Sequence, residues 1–190
     1  MHDDPFNDKS IRLKRGDIME CLEAIRERRS IRKFKDKTVG KEMLDALLNA
    51  AQMAPSAGNL QARDFVVLTY DSSKQKIAKA ALDMPFIGKA PIVIIAVANM
   101  ERSSQKYGSR GTLYSIQDAS AAVMNLLLAA HSLGLAACWI GAFDEHAVRE
   151  LLKLPPRTMP VAIIPVGYSD EKPQAPARMG LDKVVHRETW

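Results

Sequence analysis

The sequence contains only two cysteines, Cys21 and Cys138, in 190 residues. They are far apart, form no Cys-x-x-Cys pair and have no histidine cluster beside them. Neither a disulfide framework nor a structural zinc site is therefore indicated, and no metal ligands are assigned. A reducing cytoplasm is the expected location of the protein.

Long apolar runs are also lacking. The two most apolar segments, 92–98 and 119–130, are well short of the roughly 20 residues that a membrane-spanning helix needs. The charged N-terminal segment does not have the apolar stretch of a secretory signal. We therefore expect no membrane association, a flexible segment over 1–16 and a single folded domain over 17–190.

Several common catalytic motifs are absent. The chain has no Gly-x-Gly-x-x-Gly after a strand, no phosphate-binding loop ending in Gly-Lys, no Gly-x-Ser-x-Gly and no His-Glu-x-x-His. These absences disfavour a Rossmann dehydrogenase, a nucleotide hydrolase and a zinc protease. The four histidines are scattered, and no catalytic side chain is assigned.

Positive charge is in excess, with a net charge of +5 and an isoelectric point near 9.2. Such a balance favours anionic partners, either phosphorylated cofactors or nucleic acid. Aromatic residues make up only 6% of the chain and are not interleaved with the basic runs, which argues against stacking on single-stranded nucleic acid.

A compact basic cluster follows the first predicted helix, which begins at Asp17. The cluster consists of Arg28, Arg29, Ser30 and Arg32. Guanidinium groups match phosphate oxygens with planar, forked donors, and a serine hydroxyl adds a short donor, so the cluster suits one phosphate group. The alternative is that Arg26, Arg28 and Arg29 only complement the negative end of the helix dipole, with Arg32 and Lys33 lying in solvent.

The remaining chain predicts helices and strands in alternation. A helix over 41–53 stops before Pro55 and leads into a loop of small and amide residues, 55–61. Strands are predicted over 65–70, 92–98 and 160–167, and the second is apolar enough for burial on both faces.

An unusually apolar helix is predicted over 118–133, with Asp118 as its cap. It has almost no polar face, so it must be enclosed either by the domain or by a second subunit. We favour a homodimer.

The order of several motifs along the chain resembles that of the FMN-dependent nitroreductase family. The resemblance rests on the basic cluster, the Pro-Ser-x-x-Asn-x-Gln loop, the Asp-led apolar helix ending in Leu-Gly-Leu, the Trp-Ile-Gly-Ala-Phe segment at 139–143 and the terminal His-Arg-Glu. One departure is that Ala62 and Arg63 follow the loop where many members carry Pro-Trp, which predicts a more polar pocket wall.

The resemblance implies an α+β fold with a central, mostly antiparallel sheet flanked by helices, in an intertwined homodimer that binds FMN at the subunit interface. Carried over by position, the residues that would contact FMN are Arg28, Arg29, Ser30, Arg32, Pro55, Ser56, Ala57, Asn59, Ile140, Gly141 and Arg187. From the residues alone, Gly141 also suits a tight turn and Asn59 an Asx turn.

The implied activity is transfer of electrons from NADH or NADPH, through bound flavin, to small acceptors such as nitroaromatics or quinones by a ping-pong mechanism. The cofactor carries this chemistry, which agrees with the absence of a catalytic dyad. Two alternatives are a non-catalytic flavin carrier or sensor and a basic nucleic-acid-binding protein.

Overall fold

The computed structural model describes residues 21–190. The predicted flexible segment 1–16 and the predicted helix start at Asp17 lie outside the described residues. Helix α1 is described from Cys21 to Glu27 and ends directly before Arg28, so the basic cluster follows a helix end as expected.

Seven helices and four strands are described in this part of the chain. The helices are α1, α2 (Lys41–Gln52), α3 (Asp71–Ala80), α4 (Pro85–Lys89), α5 (Met100–Tyr107), α6 (Gly111–Ser132) and α7 (Glu145–Leu152). The strands are β1 (Arg63–Leu68), β2 (Ile92–Asn99), β3 (Ala136–Ala137) and β4 (Thr158–Gly167).

The strands form one sheet in the order β1-β2-β4-β3, and every neighbouring pair is antiparallel. With helices packed on both faces of this sheet, the predicted α+β class is confirmed. β1 and β3 are the two edges, and this matters for the positions of the candidate site residues.

Strand β2 is buried on both faces, as its apolar run predicts. Ile92, Ile94 and Ala96 contribute to a core with α2 and α6. Alternate residues, including Val93 and Ile95, contribute to a second core with α3, α4 and α7. The two-residue period of a strand thus supplies both layers from one segment.

Helix α6 begins seven residues earlier than predicted, and the assignment of Asp118 as its cap is wrong. Asp118 lies inside the helix, is only 4% exposed, and its carboxylate accepts hydrogen bonds from the amides of Ala57 and Ala62. The prediction failed because Asp118 directly precedes the dense apolar run, whereas the first two turns of α6, residues 111–117, begin with a glycine and mix polar residues with Leu113 and Ile116. Those turns pack on α5, where a Cβ at Gly111 would lie 2.5 Å from the backbone nitrogen of Ser104.

One face of α6 stays open in the described chain. Leu126 and Val123 are fully buried against the sheet, whereas Leu113 is 45% and Met124 is 37% exposed. Leu113 and Met124 are eleven residues apart, which places them about three turns apart on one face of the helix. The domain therefore encloses only part of this apolar helix.

Among residues 21–190, no helix is both long and apolar enough to cross a bilayer. The same residues contain no group of three His, Cys, Asp or Glu side chains arranged to hold a metal ion.

Replacing Leu126 by alanine should lower the free energy of unfolding by about 2–5 kcal/mol, because it removes apolar contacts and leaves a cavity between α6 and the sheet. Urea denaturation at fixed protein concentration measures the loss. Leu151→Ala is the matched control, since Leu151 is 41% exposed on α7 and should lose less than half as much. Equal losses would contradict the assignment of the core.

Candidate cofactor site

The basic cluster runs along the β3 edge of the sheet in an extended conformation. Ser30 forms a parallel bridge with Ala137, and the amide of Ile31 donates to the Ala137 carbonyl at 3.1 Å. Further along, Phe34 bridges Ser169 in the segment that follows β4. The cluster is therefore fixed by backbone pairing rather than lying free in solvent.

Positive charge is concentrated around Arg28. This side chain is half-buried, and its Nε is buried with no hydrogen-bond partner among the described residues. Burial lowers the pKa of Arg28, and the charges of Arg178 and Arg29 lower it further. An arrangement of this kind favours binding of an anion, since an anion would satisfy the free donor and offset the repulsion.

A cavity of about 660 Å³ opens beside Arg28. Its walls come from the end of α1, the end of α6, β3 and the segment after β4, and they include Arg29, Leu127, His131 and Glu171. The Nε2 atom of His131 is buried and also lacks a hydrogen-bond partner within residues 21–190. Two unsatisfied polar atoms thus belong to residues that line the same cavity.

The other two arginines of the cluster behave differently from Arg28. Arg29 Nη1 donates to the carbonyls of Arg26 at 2.7 Å and Arg28 at 2.9 Å. It therefore binds carbonyls at the end of α1, as the alternative of a helix-end role for the arginines predicts. Arg32 is exposed, and its backbone amide and that of Lys33 donate to one carboxylate oxygen of Glu171. The Arg32 guanidinium lies close enough to affect the pKa of Cys138, as Arg28 does.

The predicted loop residues lie at the other edge of the sheet, directly before the edge strand β1. They are Pro55, Ser56, Ala57 and Asn59. Ala57–Asn59 form a single 3₁₀ turn, and Asn59 has a left-handed φ of 55°. Asn tolerates this region better than other residues with a side chain. Ser56 Oγ accepts from the amide of Gln61 at 2.9 Å, while Pro55 and Asn59 are exposed.

Ile140 and Gly141 lie toward the β3 edge of the sheet, as the basic cluster does. Ile140 is buried and exchanges two backbone hydrogen bonds with Ile163 of β4, at 2.9 and 3.0 Å. Gly141 is exposed, and a Cβ there would have Trp139 Nε1 as its nearest neighbour, at 3.8 Å. The fold itself therefore leaves open space next to Gly141.

Arg187 is exposed near the end of the chain, and within residues 21–190 its side chain forms no hydrogen bond or ion pair. Its place in the site stays a prediction. The tail residue that does act on the cluster is Arg178, which the sequence reasoning missed because no motif marks it in the Pro-rich tail. Glu171 and Asp118 were missed as site residues for a similar reason, since their contacts are distant in sequence.

The residues predicted to contact FMN thus lie in two groups in the described chain. Arg28, Ser30, Arg32, Ile140 and Gly141 lie toward the β3 edge, and the loop 55–59 lies before the β1 edge. Toward β3, the unpaired Arg28 donor, the Ser30 hydroxyl and the neighbouring arginines form a donor set that fits the phosphate end of FMN. Open backbone next to Gly141 fits close approach of a flat ring.

A sequence model described as the nitroreductase family matches residues 25–89 and 79–168 of the chain. The chain belongs to the nitroreductase family, and this confirms the resemblance that the motifs give.

Individual relatives agree with this assignment. A candidate NADH dehydrogenase/NAD(P)H nitroreductase of Methanothermobacter thermautotrophicus is 35% identical, over 90% of this chain and 88% of its own. The solved structure of NfrA2 from B. megaterium is similar with a TM-score of 0.85 and 28% identity, over 90% of this chain and 76% of that one. The structure of an NADPH:FMN oxidoreductase from Vibrio harveyi in complex with NAD+ has a TM-score of 0.84 and 26% identity, over 90% and 77% of the two chains.

The two thiols should differ sharply in reactivity. Cys138 is 1% exposed, and burial raises its pKa, although Arg32, a hydrogen bond with Ser30, and Arg28 oppose the rise. A raised pKa leaves less thiolate at a given pH, so Cys138 should react slowly with a disulfide reagent, whereas exposed Cys21 should react at an ordinary rate.

Timed labelling of the folded protein across pH 7–9 measures this difference. The Cys138→Ser variant should be labelled quickly, and the Cys21→Ser variant should be labelled only after unfolding. Rapid labelling of the folded Cys21→Ser variant would contradict the buried position of Cys138.

Proposed function

We propose that this protein is an FMN-dependent oxidoreductase that uses NADH or NADPH as electron donor. Relatives named as an FMN reductase of Bacillus subtilis and a flavin oxidoreductase of Vibrio harveyi support the cofactor and the donor. The main observation on this chain is that the buried Nε of Arg28 has no hydrogen-bond partner in residues 21–190. The positive charges of two other arginines also act on this side chain.

Bound FMN would supply the redox chemistry, in which a nicotinamide donor is oxidised and a small acceptor such as a nitroaromatic or quinone is then reduced at the same site. The chain's own residues would bind and orient the cofactor. Arg28 and Arg32 would neutralise the phosphate, Ser30 would donate to it or to the adjoining chain, and Arg187 would complete the site.

Near the ring, Ile140 and Gly141 would present backbone to the cofactor, and the exposed position of Gly141 supports such an approach. Backbone amides aimed at a ring that gains negative charge on reduction would stabilise the reduced state. No acidic or basic side chain is required for this role, which fits the lack of a recognisable dyad in the sequence.

We also propose that the protein is a homodimer in which each FMN is shared between subunits. Along α6, Asp118 holds the loop and His131 lines the cavity, and thirteen residues of helix separate them by about 20 Å. Across the sheet, the two groups of contacts lie toward opposite edges, about 14 Å apart for four strands. A second copy, packed antiparallel on the open face of α6, would bring the loop of one subunit to the cluster of the other.

A cytoplasmic location is part of the same proposal. The exposed thiol of Cys21 supports a reducing environment.

The phosphate assignment can be tested with the double variant Arg28→Ala/Arg32→Ala. Loss of two charge-assisted contacts should weaken FMN binding by about 100-fold or more. Isothermal titration of the apoprotein with FMN measures the affinity, and circular dichroism checks the fold. Lys76→Ala/Lys79→Ala removes the same charge from the exposed surface of α3 and should bind FMN normally.

A wild-type protein that retains no flavin absorbance after excess FMN has been removed by gel filtration would overturn the proposed function. So would bound flavin that does not bleach anaerobically with NADH or NADPH. Unchanged affinity in the arginine variant would return the cluster to a role at the helix end.

The shared site can be tested with Met124→Glu, which places a charge on the open face of α6. Sedimentation velocity should show a dimer for the wild type and mainly monomer for the variant, with FMN affinity reduced in parallel. Leu151→Glu is the control, because Leu151 is similarly exposed but lies on α7 in the other layer. A wild-type monomer that binds FMN fully would contradict the shared site.

A further inference from the structure

The loop 55–59 and the residues on either side of it are connected to the rest of the fold by buried and part-buried polar contacts. Asp118 reaches it from the interior of α6. Its Oδ1 accepts from the amide of Ala57 at 2.9 Å, and its Oδ2 accepts from the amide of Ala62 at 3.3 Å. One carboxylate thus fixes the two ends of a six-residue turn.

Arg63 holds the segment that enters the loop. It is 3% exposed, and its Nη2 donates to the carbonyls of Gln52 at 2.6 Å and Ala54 at 2.8 Å, while its Nη1 donates to Pro55 at 3.4 Å. The guanidinium therefore occupies carbonyls at and beyond the end of α2, which would otherwise be unsatisfied.

The two buried charges lie near each other. Burial lowers the pKa of Arg63, the charge of Asp118 opposes this, and Arg102 adds to the lowering. A buried acid and base of this kind add little stability compared with an apolar pair, but their hydrogen bonds have fixed directions. Here those directions point at backbone groups on both sides of the loop.

The backbone that they hold is not relaxed. Gly58, Asn59 and Gln61 all have positive φ, at 56°, 55° and 51°. For Gln61 this costs about 1 kcal/mol or more, so the conformation persists only because surrounding contacts impose it. Arg102 contributes by donating to the Gln61 carbonyl.

These contacts leave part of the loop surface free. Pro55 and Asn59 are exposed, and the contacts from Asp118 and Arg63 approach from the α6 and β1 side. Gly58 lies against α5, where an added Cβ would be 2.5 Å from Tyr107 Oη. A loop held in one conformation loses less entropy when a ligand binds its free surface.

We propose that Asp118 and Arg63 are positioning residues that fix the loop 55–59 in its FMN-binding conformation before the cofactor arrives. This inference rests on the proposed function, because the ligand that the loop meets is FMN. Asp118 holds the backbone amides at the two ends of the turn, and Arg63 holds the carbonyls of the segment that connects α2 to the loop. Neither side chain needs to touch the cofactor.

The test variant is Asp118→Asn, which keeps the shape of the side chain but turns an amide N–H₂ toward one of the two backbone donors. Amide exchange of the apoprotein, followed by mass spectrometry, should show faster exchange over 56–62. Isothermal titration should show FMN bound roughly tenfold more weakly, because a charged acceptor for the two amides is lost. The visible circular dichroism of bound flavin should also change, since the loop no longer has one fixed position.

Asp144→Asn is the matched control. Asp144 is also a carboxylate that accepts a backbone amide bond, from Ala147 at 3.0 Å, but it caps α7 away from the loop. Because Asn caps helices about as well as Asp, this variant should keep its fold, and its FMN affinity and flavin spectrum should stay those of the wild type. A second variant, Arg63→Lys, keeps the charge but not the forked donors, and it should show the same changes as Asp118→Asn.

Wild-type affinity and spectrum in Asp118→Asn would overturn the inference alone, as would equal losses of affinity in Asp118→Asn and Asp144→Asn. If the wild type itself binds no FMN, the proposed function fails, and the inference fails with it.

Discussion

The packing of α6 against the sheet sets the position of both halves of the candidate site. Its buried side, which includes Ala122, Val123 and Leu126, fixes the helix against β2 and β4. Near its start the same helix presents Asp118 to the loop, and near its end His131 lines the cavity beside Arg28. Because a packed helix moves as a rigid element, the distance between the two halves is fixed by apolar burial far from either.

Apolar packing sets the positions of the two halves of the site, and buried polar groups then determine the local conformation of each half. Buried charges are costly when unpaired. Here Asp118 and Arg63 each bind backbone groups of the segment 52–62, which has three residues with positive φ. Arg28 and Arg63 both have a buried Nε without a partner in residues 21–190, but they differ in their charged neighbours. Arg63 lies near the carboxylate of Asp118, whereas Arg28 lies near Arg178 and Arg29. The fold thus supplies a carboxylate beside the arginine that holds the loop, whereas the charges that act on Arg28 are those of two arginines and the Cys138 thiol, so an anion is expected at Arg28.

Much of the fold could be predicted from sequence because it depends on local periodicity. The alternating burial of β2 follows from its apolar run, and Asp144 caps α7 as its position before the helix suggests. Asp118 could not be placed this way, because its partners Ala57 and Ala62 are about sixty residues distant. Its position directly before a dense apolar run looked like a cap, while the mixed polar and apolar residues of the first turns of α6 did not mark the true start of the helix.

The site was predictable to the extent that it depends on local clusters. Arg28, Ser30 and Arg32 are neighbours in sequence, and the structure keeps them together along β3. Sequence reasoning did not find Arg178 or Glu171, because they reach the cluster only after the chain returns along β4. For Arg29 the alternative interpretation, a role at the helix end, is the one that its contacts with carbonyls at the end of α1 support.

The concentration of arginines has a further consequence for the stability of the protein. Burial, and then the like charges of Arg178 and Arg29, lower the pKa of Arg28, so its charged form is less favourable in the folded protein without ligand than in water. An anionic ligand bound there would stabilise the folded state through its own affinity and by offsetting this repulsion. Binding and folding are therefore linked at this cluster. The residues that make the apoprotein less stable are the same residues that would make the complex with a phosphorylated cofactor stable.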